Sequence, residues 1–537
     1  MSYPGKMHTL VVEDEAGMRE NYKITFDTLG KKYPLAVPTF AVSYDDACAQ
    51  LASPAIYHLV IIDLGLPFKT RQEAQSGVEP GLELVKRAAS REHHPVPAIL
   101  VISGRLGLTK LPDLTTQIVQ GFWYGQAVNK GTDEHDEIEK AVRAVEVYNG
   151  IGIHLQDGGH QWYPTITPRE DDLLRRCALR VGAIGVDVRW WGAEKARSEQ
   201  PEDANNGSTK VLMGRFILDH GREHSRATFF KFEPAANGPW VFKNADILDQ
   251  KLRHIKVVYK HAAPTRSMLV TQSVSAGEPT SLVGFLRGDP AAVGPALGQI
   301  VQDIHEQLYS LGTLHDDQIP LRNVFWEYLA KQTANLVEAW KRHASADLPV
   351  GGVDPLSLFT YLNASDKSVW VKFKTCNHGD LNASNVALEK VENSLRAFIF
   401  DAGSVEQAIA AKDLAYLEVT TLLFARGEGC VDLVDECRGL YEGPVAIGDG
   451  FEFSAGGTVA QNVKRFIAEI RRAALASTDA SIYALLVFDV ALQQLAGLVV
   501  QSSGNKIADP RSAAKLVALV AVWISKIAPE YGLPVLK

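Results

Sequence analysis

His378-Gly379-Asp380-Leu381-Asn382-Ala383-Ser384-Asn385 is followed, after a β-like run, by Phe398-Ile399-Phe400-Asp401-Ala402-Gly403. The pattern is H-G-D-L-x-x-x-N, then an apolar strand that ends on a second aspartate. Transfer of a phosphoryl group asks little covalent chemistry of a protein. It asks for an acceptor hydroxyl held in place and for divalent cations that offset the charge of a triphosphate. A carboxylate and an amide on one tight loop, with a second carboxylate at a strand end, supply those parts. A lone H-G-D reads as an ordinary turn. The asparagine at its offset and the aspartate after the β-like run set this stretch apart.

These residues resemble the catalytic and metal-binding loops of the aminoglycoside phosphotransferase and choline kinase group, relatives of the protein kinases. The "ternary complex associated domain" set of phosphotransferase-like domains is similar too. The resemblance implies that Asp380 is the catalytic carboxylate, orienting the acceptor hydroxyl and taking its proton. It implies that Asn385 and Asp401 hold Mg²⁺ and that His378 supports the loop. Asp413, at the start of the helix after the metal aspartate, either braces the loop or serves as a first-turn acid favoured by the helix dipole. ATP and Mg²⁺ are the implied cofactors.

Upstream, Lys210 to Leu218 and Arg226 to Phe232 read as a β-hairpin after a polar loop at 197–207. In the kinase-like group a glycine-containing loop there covers the nucleotide phosphates, and the next strand carries a lysine that pairs with them. By position these are Asn206-Gly207-Ser208-Thr209, with Gly207 and Ser208 as nucleotide contacts, and Lys231. Lys231 lies between Phe230 and Phe232, so alternation does not say which face is buried. Its acidic partner is expected on the following helix, near Lys243 to Lys256, from Asp246 or Asp249. A hinge is expected at 274–278, after strand Ser267 to Ser273. Amphipathic helices are read at Ala292–Leu311 and Asn323–His343.

Farther out, the N-terminal part alternates continuous apolar strands with helical stretches, which argues for a parallel sheet covered on both faces. Its strands run into Glu13-Asp14, Asp63, Ser103 and Lys130 in chain order. Function in such sheets collects at the strands' carboxyl ends. Clustered carboxylates need a divalent cation, and Mg²⁺ takes one or two of them plus phosphate oxygens. The set is similar to the response-regulator receiver domain. That resemblance implies Asp63 as the phosphate acceptor, and Glu13, Asp14 and Asp63 as Mg²⁺ ligands. Ser103 and Lys130 then contact the phosphoryl group as switch residues. There are departures: Lys130 is followed by Gly131 instead of proline, Ala127 stands where an aromatic switch residue is usual, and Phe68 to Pro80 reads as an insertion.

The expected fold is therefore α/β: a flavodoxin-like doubly wound receiver at 1–148, a linker at 149–172, and a two-lobed protein-kinase-like part. Its small lobe spans 173–273 and its helical large lobe 274–537. Thr167-Pro168-Arg169-Glu170 reads as a helix start with a capping box. A net charge of −8 over 537 residues gives no support to nucleic-acid or anionic-membrane partners. Five scattered cysteines and a charged N-terminus fit a cytoplasmic protein. The apolar run Ile482 to Val500 holds Asp489, Gln493 and Gln494, as a core helix does and a membrane span seldom does. Together the two resemblances imply a bacterial two-component-type protein in which the receiver controls an ATP- and Mg²⁺-dependent phosphotransferase acting on a hydroxyl or amine. A sensor histidine kinase or small phosphodonor would supply the receiver, and the phosphate acceptor and oligomeric state stay open. The alternative is a non-catalytic receiver–pseudokinase scaffold that binds nucleotide and recruits partners.

Overall fold

A computed structural model describes residues 5–66, 80–90, 96–104, 122–131, 134–156, 164–191, 209–218, 222–223, 226–251, 255–262, 266–273, 279–325, 332–344, 353–392, 394–400, 407–425, 433–448, 451–500 and 509–527. Asn206, Gly207, Ser208, Asp401, the expected hinge at 274–278 and most of the expected insertion at 68–80 lie outside them.

The first unit runs β1 (Thr9–Val12), α1 (Ala16–Leu29), β2 (Thr39–Ala41), α2 (Tyr44–Ala52), β3 (Leu59–Ile62), α3 (Pro80–Ala89), β4 (Ala98–Ser103), β5 (Gly125–Asn129) and α4 (Glu134–Gly150). The strands pair in parallel in the order β2-β1-β3-β4-β5. That is the flavodoxin-like doubly wound arrangement. All residues of β1, β3 and β4 are buried, because helices cover both faces of the sheet. One face packs Val60, Ile62 and Val101 beneath α2 and α3; the other packs Val11, Ile61 and Leu100 beneath α1 and α4.

The stretch expected to be a linker holds a strand. α4 runs into β6 (Gly152–Leu155) with only Ile151 between, and α5 (Pro168–Val181) leads on to β7 (Ala183–Trp190). β6 pairs with β7 in parallel, and parallel neighbours need a crossover, which α5 supplies. Alternating burial explains why glycine-rich residues 149–156 form a strand: Ile151 and Ile153 enter the core beneath α5 while His154 stays outside. The sheet continues through β8 (Lys210–Leu218), β9 (Arg222–Glu223), β10 (Thr228–Pro234), α6 (Gly238–Lys251), β11 (Ile255–Ala262) and β12 (Arg266–Ser273), in the order β11-β12-β10-β8-β7-β6 with β9 on β8. Both faces are covered. Leu212, Phe230, Phe232 and Val270 meet α5 on one. Val211, Met213 and Phe229 meet Ala387 and Phe400 of the large lobe on the other, and Leu269 packs there against α6.

α5 starts as its sequence dictates. Thr167 Oγ1 accepts from Glu170 N at 3.2 Å and Glu170 Oε2 accepts from Thr167 N at 3.0 Å, a closed capping box. The Glu170 carboxylate, wholly buried, also takes Lys210 Nζ at 2.8 Å and Arg266 Nη2 at 2.9 Å, fastening the helix to the outer ends of β8 and β12.

The large lobe comprises β13 (Thr280–Ser281), α7 (Leu282–Leu286), α8 (Pro290–Leu311), β14 (Leu314–Pro320), α9 (Thr333–His343), α10 (Pro355–Asn363), β15 (Ser368–Lys374), β16 (Val386–Val391), β17 (Ser394–Ile399), β18 (Ala408–Ile409), α11 (Lys412–Phe424), α12 (Leu433–Glu436), α13 (Thr458–Leu475), α14 (Ala480–Val500) and α15 (Pro510–Ile527). Of the stretch expected as one helix from Asn323 to His343, Leu321–Val324 forms a 3₁₀ turn that buries Leu321 and Val324, Thr333–His343 is helical, and 326–331 lie outside the described residues. α14 is the one helix among the described residues with the length and apolarity to cross a membrane, but 78% of that window is buried in the protein. At the centre, wholly buried Glu418 accepts from Tyr441 Oη, Tyr483 Oη and Arg471.

Two stability predictions follow from the small lobe. Glu170→Ala strands Lys210 and Arg266 as buried charges and should cost about 3–5 kcal/mol, read by denaturant unfolding. His261 on β11 is pushed down to about 4 by burial, and then by the neighbouring Arg176. The unfolded chain therefore gains a proton through about pH 6.5 that the folded protein refuses. Stability should fall from there to about pH 4, by on the order of 3 kcal/mol for a shift of that size. His58, likewise down to about 4 through burial and then His8, acts in the same window. His261→Gln should make the acid limb of the stability curve shallower without abolishing it.

Candidate functional site

Two sites are built from strand and loop ends. In the first unit, Glu13 follows β1, Asp63 follows β3, Ser103 closes β4 and Lys130 follows β5, so parallel pairing brings all four to one edge. Ligand atoms of Glu13, Asp14 and Asp63 lie within 4.8 Å of one another. Lys130 Nζ reaches Asp63 Oδ2 at 2.8 Å and Glu13 at 3.1 Å. Asp63 Oδ1 accepts from Gly65 N at 2.8 Å. Ser103 is fully buried and its carbonyl accepts from Lys130 N at 3.3 Å.

Burial holds the Glu13 carboxyl above its ordinary range, against the pull of Lys130. Burial works against the Lys130 ammonium, but its bonds to Asp63 and Glu13 outweigh this and raise its pKa. Glu13 Oε2 is buried and lies 3.1 Å from Lys130 Nζ without receiving a hydrogen bond. An all-oxygen set of three carboxylates with such an atom fits a small, hard divalent cation.

The second site lies where the two lobes meet. Gly379 has φ +76°, a left-handed turn that glycine takes without strain. The turn points the N–H groups of His378 and Gly379 at one carboxylate, Asp413, whose oxygens accept them at 2.8 and 2.9 Å. Asp413 also lies in the first turn of α11, so its position meets both descriptions given for it from the sequence. His378 is wholly buried, and its Nε2 contacts the Phe400 carbonyl at 3.0 Å. Phe400 N in turn donates to Asn385 O. The residue before Asp401 is thereby tied to both ends of the loop. Asn385 Nδ2 donates to the Asp380 carbonyl at 2.9 Å, and Asn382 Nδ2 to Asp380 Oδ1 at 3.2 Å. Asp380 itself is half-buried.

Above the loop, Lys231 pairs in register with Val211 and Leu269. It therefore shares the sheet face of Phe229, which turns toward the large lobe. Phe229 stacks on Phe400, ring centroids 4.5 Å apart, and Trp191 Nε1 donates to the Ser384 carbonyl. Lys231 thus stands on the face that covers Phe400, next to Asp401 in the chain.

The acid beside Lys231 does not come from the following helix. Asp246 pairs with Lys260 and Asp249 accepts from Val257 N. Glu233, two residues on along β10, meets Lys231 at 2.9 Å. Its other oxygen accepts from Thr209 Oγ1 at 2.7 Å, so the end of the expected phosphate loop is tied to the lysine's partner. Residues i and i+2 of a strand share a face, so Lys-x-Glu was the signal in the sequence. Trp191 and Thr420, whose Oγ1 accepts from Ala383 N, carried no such signal, because their partners lie far away in the chain. Tyr416 belongs with them. Gln494 donates to its hydroxyl at 2.9 Å, and burial, then the charge of Asp380, raises its pKa.

No known sequence family matches the chain, and no curated protein does. Solved structures do. The N-terminal domain of a response regulator/sensory box/GGDEF 3-domain protein from Carboxydothermus hydrogenoformans is 17% identical over 26% of this chain and 96% of its own, with TM-score 0.20. A Ralstonia eutropha protein described as an aminoglycoside phosphotransferase is 12% identical over 60% of this chain and 93% of its own, with TM-score 0.34. A Plasmodium vivax ethanolamine kinase is 11% identical over 61% and 83%, with TM-score 0.29. The chain is a doubly wound α/β receiver-like unit followed by a two-lobed kinase-like one, by its own strand order and lobe contacts.

Asp413→Ala should leave two N–H groups of the loop without their acceptor, at about 1–3 kcal/mol each. The amides of His378 and Gly379 should then exchange with solvent far faster, while those of β8 keep their wild-type rates. Hydrogen-exchange mass spectrometry reads both.

Proposed function

We propose that this chain is a signalling phosphotransferase whose N-terminal receiver governs an ATP-dependent transfer in the C-terminal part. The observation that carries this reading is the braced loop under the Lys231 face. Asp413 fixes its start, Asn385 and Asn382 fix Asp380, and Phe400 ties it to the strand leading to Asp401. Asp380 takes the proton of an acceptor hydroxyl or amine as that atom bonds to the γ-phosphorus, and the bond to the leaving ADP oxygen breaks. Lys231 pairs with the nucleotide phosphates. Asn385 and Asp401 would hold Mg²⁺, which neutralises phosphate charge when bound. In the receiver, Glu13, Asp14 and Asp63 would hold a second Mg²⁺, and Asp63 would take the phosphoryl group from a sensor histidine kinase or a small phosphodonor. The reading places the protein in the cytoplasm.

A second reading, a nucleotide-binding pseudokinase scaffold, is favoured by one observation. Lys231 finds its acid on its own strand, not on the helix that packs against the sheet. A movable helix then has no direct hold on the lysine.

Three measurements separate these readings. Acetyl phosphate with Mg²⁺ should add one phosphate to the wild type and none to Asp63→Asn, by intact mass. Asp401→Ala should remove the Mg²⁺-dependent part of ATP affinity in calorimetry. Asp380→Asn should leave ATP affinity nearly intact and cut turnover by about two to four orders of magnitude. ATP turnover and cellular output that are the same in Asp380→Asn as in wild type would favour the scaffold.

A further inference from the structure

α5 is a middle layer. One side packs on the small-lobe sheet, and the other carries Arg169, Asp172 and Arg175 against the receiver, with Arg176 between Asp172 and β11, all four buried. Arg175 Nη1 donates to the carbonyls of Tyr148, Asn149 and Ile151, at the end of α4. Arg169 Nη2 reaches the Ala89 carbonyl, at the end of α3, at 3.5 Å. The Tyr148 hydroxyl donates to Asp172 Oδ1. Asp172 Oδ2 lies 3.0 Å from Arg176 Nη2, and Arg176 Nη1 contacts His261 Nε2 on β11 at 2.8 Å.

Tyr148 also faces the other way. Its ring stacks on Trp123 with centroids 4.1 Å apart and planes 10° from parallel. Trp123 lies just before β5 and is pinned by its Nε1 to the Val96 carbonyl at 2.9 Å. β5 thus has Trp123 at one end and Lys130, bonded to Asp63, at the other. Ala127, midway along β5, is a methyl group with no rotamer to change.

We propose that Trp123 and Tyr148 are the receiver's output contact, and that they pass the state of Asp63 through Asp172 and Arg176 to the back of the small lobe. The inference rests on the reading of Asp63 as phosphate acceptor. When an Asp63 oxygen bonds to the phosphorus of acetyl phosphate, acetate leaves with the bonding pair. The carboxylate that Lys130 grips becomes an acyl phosphate with new oxygens farther out. Lys130 follows the charge, and β5, a short stiff strand, carries the displacement to Trp123. The ring stack and one hydrogen bond hand it to α5. Arg176 and the Glu170 anchor sit on that helix, so its shift reaches β11, β8 and β12 together.

The test uses the full chain with acetyl phosphate and Mg²⁺, and three readouts: intact mass for phosphate on Asp63, hydrogen exchange in α5 and β11, and MgATP affinity. In the wild type one phosphate should be gained. Exchange in residues 168–181 and 255–262 should change, and MgATP affinity should move by about fivefold or more in either direction, the usual scale of coupling between sites. Tyr148→Phe keeps the stack and loses the bond to Asp172. It should take up phosphate to the same extent, while the exchange change in α5 falls to under a third and the affinity shift to under about twofold. Trp123→Leu, which removes the stack, should do the same. A wild type that gains phosphate with no change in α5 overturns the inference alone. So does a Tyr148→Phe protein that responds as fully as wild type. A wild type that gains no phosphate overturns the receiver reading and this inference with it.

Discussion

One buried carboxylate, Glu170, has four tasks. It closes the capping box that starts α5, it neutralises Lys210, it neutralises Arg266, and through all three it holds a charged helix against the back of a β-sheet. A charge taken out of water costs several kcal/mol unless good partners replace the water. The arrangement is therefore close to all-or-none. With α5 seated, the sheet has a back wall and the receiver has a surface to rest on. Without it, two cations on β8 and β12 face an apolar interior.

Much of this could be read from residues before any coordinates. Continuous apolar runs leading to Glu13, Asp63 and Ser103, with Lys130 after a fourth strand, specified a parallel sheet and its functional edge, because a strand buried on both faces reads as an unbroken apolar run and the polar residue that ends it stands out. Thr167-Pro168-Arg169-Glu170 located the start of α5 to the residue. The site near Asp380 was legible as a motif, and Asp413 as one of two alternatives. What resisted was of a different physical kind. β6 is four residues long and draws its stability from β7 and α5, so nothing local marks it, and glycines on both sides argue against it. The face of Lys231 was undecidable because the sheet is buried on both sides and alternation then carries no information. Glu233 was overlooked in favour of helix acids, although its spacing from Lys231 already placed both on one face.

The two sites differ in how they are held. At Asp63 the groups come from four strand ends and depend on sheet register, so a small slide of β5 is felt at once. At Asp380 the loop is fixed by its own backbone: a left-handed glycine, two amides on Asp413 and an asparagine folded back on the aspartate's carbonyl. Groups preorganised in that way have little room to rearrange. A signal acting on the second site is therefore better placed in the small lobe, where Lys231 sits, than in the loop.

The four residues of β6 bear on where the chain can be divided. Boundaries between modules usually fall in exposed linkers where few contacts cross. Here the last helix of one module continues, after a single residue, into the edge of the next module's sheet, and the following helix returns to cover both. A join at 150 would keep β6 and α5 with the sheet they complete, but it would part Asp172 and Arg175 from the Tyr148 and Asn149 groups they bond. A helix arriving from another module would fit at this join only if it brought a hydroxyl for Asp172 and backbone carbonyls for Arg175, as the end of α4 does.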